Sequence, residues 1–194
     1  MSFNVIQYET LPEDLERRLQ EHCRVTKFDS FNPAQGEPFV SALAAAHGLI
    51  GVNKEVGAEL LDLAPNLRVA STISVGYDHF DVAELTSRGV MLMHTPDVLT
   101  ETTADMIFTL ILCAARRAAE LHEMTRQGRW QAAVGAEHFG RDVHGKTLGI
   151  VGLGRIGTAV ARRGRLGFNM NVLYHNRTRS VEAEKEIGAR YCSL

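Results

Sequence analysis

The sequence predicts an α/β protein built on parallel sheets. Short β-branched runs alternate with helical patterns from the N-terminus onward, the signature of β-α-β crossovers. A glycine-spaced run, "GIVGLGRIGTAV" at residues 149–160, follows an apolar strand pattern and opens a helical one. With 45% hydrophobic and 23% charged residues, the chain has the profile of a globular protein.

The elements follow in order. "FNVIQYE" reads as a strand, and "TLPEDLERRLQEH" as a helix. In that helix Thr10 and Glu13 have capping-box spacing, Pro12 falls in the first turn, and Leu11, Leu15 and Leu19 share one face. "CRVTKFD" (strand), "PFVSALAAAHG" (helix), "GLIGV" (strand), "VGAELLDLA" (helix) and "LRVASTISV" (strand) come next. "DVAELTSRG" is a short helix with Asp81 as N-cap and Gly89 just past its end, and "VMLMHT" closes the series. Five strands with four intervening helices imply a parallel sheet covered on both faces, over residues 1–99. A long helix from Thr100 to Arg126 follows, apolar on nearly every side through "TADMIFTLILCAA", as suits a segment packed between domains or against a second subunit. After an irregular arm holding Trp130, a new strand–helix–strand starts at Lys146 ("KTLGIVGLG", "RIGTAVARRGRLG", "NVLYHN"), then the helix "VEAEKEIGA" and the strand "RYCSL".

Bulk properties exclude several classes. Formal net charge is −2, so no broad basic field is set for nucleic acid or a membrane surface. Cys23, Cys113 and Cys192 lie far apart without a C-x-x-C pair, which speaks against a zinc site or disulfide framework and fits a reducing cytoplasm. The start, "MSFNVIQYET", lacks the pattern of a secretory signal. The most apolar window, "MIFTLILCAA", is half the length that a bilayer span of about twenty residues needs.

Gly152-Leu153-Gly154-Arg155-Ile156-Gly157 is G-x-G-x-x-G between strand and helix. Gly152 permits the tight turn, Gly154 lets backbone approach a pyrophosphate, and Gly157 lets the helix lie close to the strand. N–H groups near Arg155 and Ile156 then face the anion. The competing reading is a tight turn with no ligand. About twenty residues on, where an acidic side chain normally holds the adenosine ribose, the chain reads "LYHNRTRS". Asn176 removes the repulsion of a 2′-phosphate. Arg177 and Arg179 offer forked, charge-assisted hydrogen bonds to it, and Thr178 or Ser180 a hydroxyl. NADP(H) is the preferred cofactor on this reading, with NAD(H) also open; the bland alternative is two solvated arginines in a surface loop.

These residues resemble the D-isomer-specific 2-hydroxyacid dehydrogenase family along most of the chain. The likeness is densest in "STISVGYDHFDV", "LMHTPDVLTETTADM", "DVHGKTLGIVGLGRIG", "GFNMNVLY" and "ARYC", and "NRTRS" resembles the NADP loop of the family's glyoxylate-reducing branch. The resemblance implies a flavodoxin-like substrate domain (1–99), a linking helix and dimerisation arm (100–145), and the first part of a Rossmann nucleotide domain (146–194). It implies a homodimer through residues 100–145. It also implies that the N–H groups of Val75 and Gly76 bind the carboxylate of a 2-keto acid, and that Thr103 lies near the nicotinamide. A turn with successive N–H groups is an anion nest on physical grounds too; otherwise this stretch is a plain strand-to-helix loop with Asp78 and Asp81 as caps.

In the family a histidine protonates the keto oxygen, a glutamate raises that histidine's pKa, and an arginine clamps the carboxylate. The resemblance places all three beyond residue 194. No catalytic residue is therefore assigned in this chain, its eight histidines (His94 and His175 among them) are expected to be structural or exposed, and the 194 residues alone are expected not to turn over substrate. The implied activity is NADPH-preferring reduction of glyoxylate, hydroxypyruvate or 2-ketogluconate. The alternatives are a NAD-dependent phosphoglycerate- or lactate-type dehydrogenase, and a non-catalytic NAD(H)-sensing scaffold of the same fold.

Overall fold

A computed structural model describes residues 2–29, 31–32, 34 and 36–194. The chain divides into two compact units, 1–96 and 97–194.

In the first unit, β1 (Phe3–Gln7), β2 (Cys23–Lys27), β3 (Gly48–Gly51), β4 (Val69–Thr72) and β5 (Met91–Met93) form one parallel sheet in the order β2-β1-β3-β4-β5. That is the flavodoxin-like order. The crossovers are α1 (Glu13–His22), α2 (Glu37–Ala45), α3 (Ala58–Asp62) and α4 (Val82–Ser87). The core gathers Ile6, Phe39, Leu43, Leu49, Val56, Leu61 and Leu85, all buried. Asp81 caps α4, its carboxylate accepting from the Glu84 N–H at 3.0 Å, and Gly89 takes a left-handed φ of 69° just past the helix.

The first helix departs from expectation. Pro12 occupies its N-cap position with no side-chain hydrogen bond, so no capping box forms, and the Thr10 N–H binds the Glu9 carboxylate instead. Proline at the cap has no acceptor to offer and leaves Thr10 two residues upstream of the helix. Nor does the leucine face bury as a stripe: Leu11 is buried, Leu19 half-buried and Leu15 exposed.

In the second unit, β6 (Thr147–Val151), β7 (Asn171–His175) and β8 (Arg190–Tyr191) form a parallel sheet in that order, joined by α7 (Arg155–Arg162) and α8 (Val181–Ile187). The run "RRGRLG" continues α7 as a π-helical turn over Arg163–Gly167. Ala159, Val160 and Ala161 bury one side of α7, and Ala104 and Phe108 from α5 (Thr100–Ala115) pack into the same core as Ala159 and Val160.

The expected single helix from Thr100 to Arg126 is two helices, α5 and α6 (Ala118–Arg126). Arg117 adopts a left-handed φ of 54°, which costs a non-glycine residue about 1–2 kcal/mol. Its guanidinium forks onto Glu120 (2.8 and 2.5 Å) and donates to the Glu137 carbonyl, which offsets that cost. The arm meets the helix end here: Arg141 N–H caps the Ala115 carbonyl at 2.7 Å, and a Cβ on Gly140 would overlap that same oxygen.

Candidate functional site

The second unit carries a glycine-lined cradle. After β6, Gly152 turns the chain at φ +95°, a conformation that side-chain-bearing residues rarely adopt. A Cβ on Gly157 would overlap the Gly152 carbonyl oxygen, so only glycine lets α7 start this close to the strand. Nothing lies within 4 Å of a Cβ placed on Gly154, which leaves open space on its Cα side for a ligand. The first helical bond of α7 runs from Thr158 N–H to the Gly154 carbonyl at 2.8 Å. The N–H groups of Arg155, Ile156 and Gly157 therefore lie at the unpaired end of the helix, positioned to face an anion. The Arg155 side chain is drawn aside onto Asp97 at 2.7 Å, leaving its backbone N–H as its contribution.

Beside this turn opens a cavity of 490 Å³ lined by Val151, Gly152, Leu153, Gly154, His175, Asn176, Arg177 and Thr178. Among the described residues, no carboxylate lines it. Asn176, at the carboxyl end of β7, is latched to the glycine turn: its Oδ1 accepts the Leu153 N–H at 2.6 Å and its Nδ2 donates to the Leu153 carbonyl at 3.3 Å. His175 donates from Nδ1 to the Cys192 carbonyl at 3.0 Å.

The two loop arginines differ. Arg177 is exposed on the cavity rim with no carboxylate within ion-pair distance among the described residues. Arg179 lies outside the lining and binds both oxygens of Glu184, at 2.6 and 2.8 Å. Glu184 also accepts the buried Tyr174 hydroxyl at 2.8 Å, and that hydroxyl accepts the Ser180 N–H at 2.8 Å. Arg179, then Tyr174, hold the Glu184 carboxyl below its ordinary pKa, while burial and then Glu184 push the Tyr174 phenol up. Thr103 stands half-buried in the first turn of α5, outside the cavity lining.

The first unit presents a turn after β4, residues 73–77. Its carbonyls at Ser74, Val75 and Gly76 each accept an internal hydrogen bond, whereas the Val75 and Gly76 N–H groups find no acceptor among the described residues. Unpaired successive N–H groups suit a carboxylate. The family resemblance singles out Val75 and Gly76 as expected carboxylate ligands but not His94, Ser74 and Thr95, which hold the carbonyls. The Asn176 latch and the Glu184 capture of Arg179 were also missed, although a glutamate placed just inside the following helix was a visible partner for that arginine.

Residues 108–194 match the family model for the D-isomer specific 2-hydroxyacid dehydrogenase, NAD binding domain. Glyoxylate/hydroxypyruvate reductase B of Citrobacter koseri is 50% identical over 194 residues, all of this chain and 60% of that enzyme. Among solved structures, the TT0316 protein from Thermus thermophilus superposes with a TM-score of 0.83 at 38% identity, over 98% of this chain and 60% of that one. The NADPH-dependent glyoxylate/hydroxypyruvate reductase from Sinorhizobium meliloti, solved with NADP and malonate, superposes with a TM-score of 0.82 at 29% identity, over 99% of this chain and 57% of that one. The chain thus spans about 60% of the length of the curated relatives it matches. Residues 108–194 thus carry the NAD binding domain of the D-isomer-specific 2-hydroxyacid dehydrogenase family, and the whole chain is similar to enzymes that bear it.

Proposed function

We propose that this chain provides the substrate-carboxylate turn and the cofactor cradle of an NADPH-preferring reductase that converts small 2-keto acids to D-2-hydroxy acids. Glyoxylate, hydroxypyruvate and 2-ketogluconate are the substrates in view. The observation that carries the cofactor preference is Arg177 standing unpaired on the rim of a cavity without a lining carboxylate. A dianionic 2′-phosphate there meets a planar, charged donor and no repulsion. The relative from S. meliloti, solved with NADP, supports this reading.

Bound NADPH supplies the hydride. The chain's own residues bind and orient. The N–H groups at the start of α7 hold the pyrophosphate, with Gly152, Gly154 and Gly157 making room for it. Asn176 braces the turn, Arg177 and Thr178 take the ribose phosphate, and Thr103 lies toward the nicotinamide. Val75 and Gly76 take the keto acid's carboxylate. No side chain here is assigned the proton transfer, and the 194 residues alone are expected to bind NADPH without turning over a keto acid. A keto-acid-dependent oxidation of NADPH by the purified chain would contradict that.

The same reading includes a homodimer. Met106 and Leu110, one turn apart on α5, are exposed, as are Trp130 and Phe139 in the arm. Burying such an apolar set against a second copy is favourable at about 25 cal/mol per Å². Sedimentation of the chain tests this, and a monomer at micromolar concentration would count against it. A reducing cytoplasm suits the three free thiols.

The direct test of the cofactor assignment is Arg177→Asp. It should weaken NADPH binding by about tenfold to a hundredfold and NADH binding by less than about threefold. Equal losses with both would refute the assignment.

A further inference from the structure

The turn after β4 is held by three pins. The Thr95 N–H donates to the Ser74 carbonyl at 3.1 Å. His94 Nδ1 approaches the Val75 carbonyl at 3.0 Å. The Ser74 hydroxyl donates to the Gly76 carbonyl at 2.6 Å. Because Ser74 spends its only proton on Gly76, the buried Thr72 hydroxyl, 2.6 Å away, must donate to Ser74.

Each pin has a geometric consequence. A trans peptide is planar, with the C=O of one residue and the N–H of the next on opposite sides, and all peptides among the described residues are trans. Fixing the direction of the Ser74, Val75 and Gly76 carbonyls therefore fixes the N–H group that follows each one, of Val75, Gly76 and Tyr77, on the opposite side of its own peptide. None of these three N–H groups has an acceptor among the described residues.

We propose that His94 is a positioning residue for substrate. By donating to the Val75 carbonyl, it orients the Gly76 N–H toward the carboxylate of a 2-keto acid. This rests on the reading above that Val75 and Gly76 bind that carboxylate. A carbonyl only accepts, so Nδ1 carries the proton in this contact. The Tyr77 ring packs edge-on against the imidazole, with centroids 5.0 Å apart at 73°, and fixes its plane. A phenylalanine could keep that aromatic contact but would leave the carbonyl without a donor. His94 thus acts through the backbone, and Ser74 serves the Tyr77 N–H in the same way.

The test is an NMR titration of the ¹⁵N-labelled 194-residue chain with oxamate, a stable 2-keto acid isostere, following the amides of residues 75 to 77. In the wild type all three should move together and saturate. His94→Phe should weaken oxamate by about tenfold and remove most of the Gly76 shift, and His94→Asn, whose amide keeps a donor, should recover part of both. Should the wild-type amides stay still, the carboxylate reading itself falls, and this proposal with it. Should they move while His94→Phe binds as tightly with the same Gly76 shift, the role of His94 is refuted and the carboxylate turn stands. If His94→Phe does not fold, Ser74→Ala decides. Loss of the Tyr77 shift with weaker binding supports the pinned turn, and unchanged binding overturns it.

Discussion

The Asn176 side chain holds the Leu153 backbone on both sides of its Cα: Asn176 Oδ1 accepts the Leu153 N–H at 2.6 Å, and Nδ2 donates to the Leu153 carbonyl at 3.3 Å. The side chain that replaces the ribose-binding acid is thereby a brace between β7 and the glycine turn. Asn176→Ala should destabilise the chain by about 1–2 kcal/mol and weaken NADPH and NADH to the same degree, because the shared pyrophosphate site loosens. Equilibrium urea unfolding and cofactor titration check this. A selective loss of one cofactor would instead mark Asn176 as a direct ribose ligand.

Gly157 admits no side chain. Its missing Cβ would sit on the Gly152 carbonyl oxygen, which is backbone and cannot step aside without moving β6 or α7. Gly157→Ala should cost about 1–3 kcal/mol and abolish measurable cofactor binding, whereas Gly154→Ala, with nothing within 4 Å, should keep the fold and lose only affinity. Thermal melts of the two variants separate these outcomes.

Arg179 belongs to Glu184 rather than to the cavity, and this ion pair sets a pH dependence. The Glu184 carboxyl sits below its ordinary value of 4.5, chiefly through the hydrogen bond from Arg179 and then that from Tyr174. A carboxyl with a depressed folded pKa stabilises fully above its ordinary value and loses that contribution as pH falls through the folded one. The Tm gap between wild type and Arg179→Ala, open at neutral pH, should therefore close as pH drops below about 4. No gap at neutral pH, or a gap that persists unchanged well below that point, would show the pair to be without thermodynamic weight, as many exposed pairs are.

Loss of NADPH selectivity should follow the same division. Arg177→Ala should cost several-fold more of it than Arg179→Ala, since only Arg177 stands free on the rim. Paired cofactor titrations of the two variants check the order, and the reverse order would mean that Arg179 leaves Glu184 when the phosphate arrives.

Much of this was legible in the chain. The alternation of "FNVIQYE", "CRVTKFD", "GLIGV", "LRVASTISV" and "VMLMHT" with helical runs gave the parallel sheet, because a crossover strand buried on two faces needs such runs. The glycine spacing gave the cradle, since close backbone approach has few other solutions. What escaped depends on distant partners. The break at Arg117 has no proline or glycine inside the helix to announce it, and is fixed by the arm, through Arg141 and Glu137. The capping box at Thr10 was a matching pattern, but the cap falls two residues later, at Pro12. His94 looked like an idle histidine because its partner, the Val75 carbonyl, lies nineteen residues away across the sheet.

On the proposed function, the unpaired Arg177 guanidinium, on a rim without carboxylates among the described residues, selects the phosphorylated nicotinamide carrier. Dissociation constants of NADPH and NADH for the unmodified chain, from nicotinamide fluorescence at one fixed ionic strength, test it most directly. NADPH should bind at least about tenfold more tightly. Equal affinity, or tighter NADH, would contradict it.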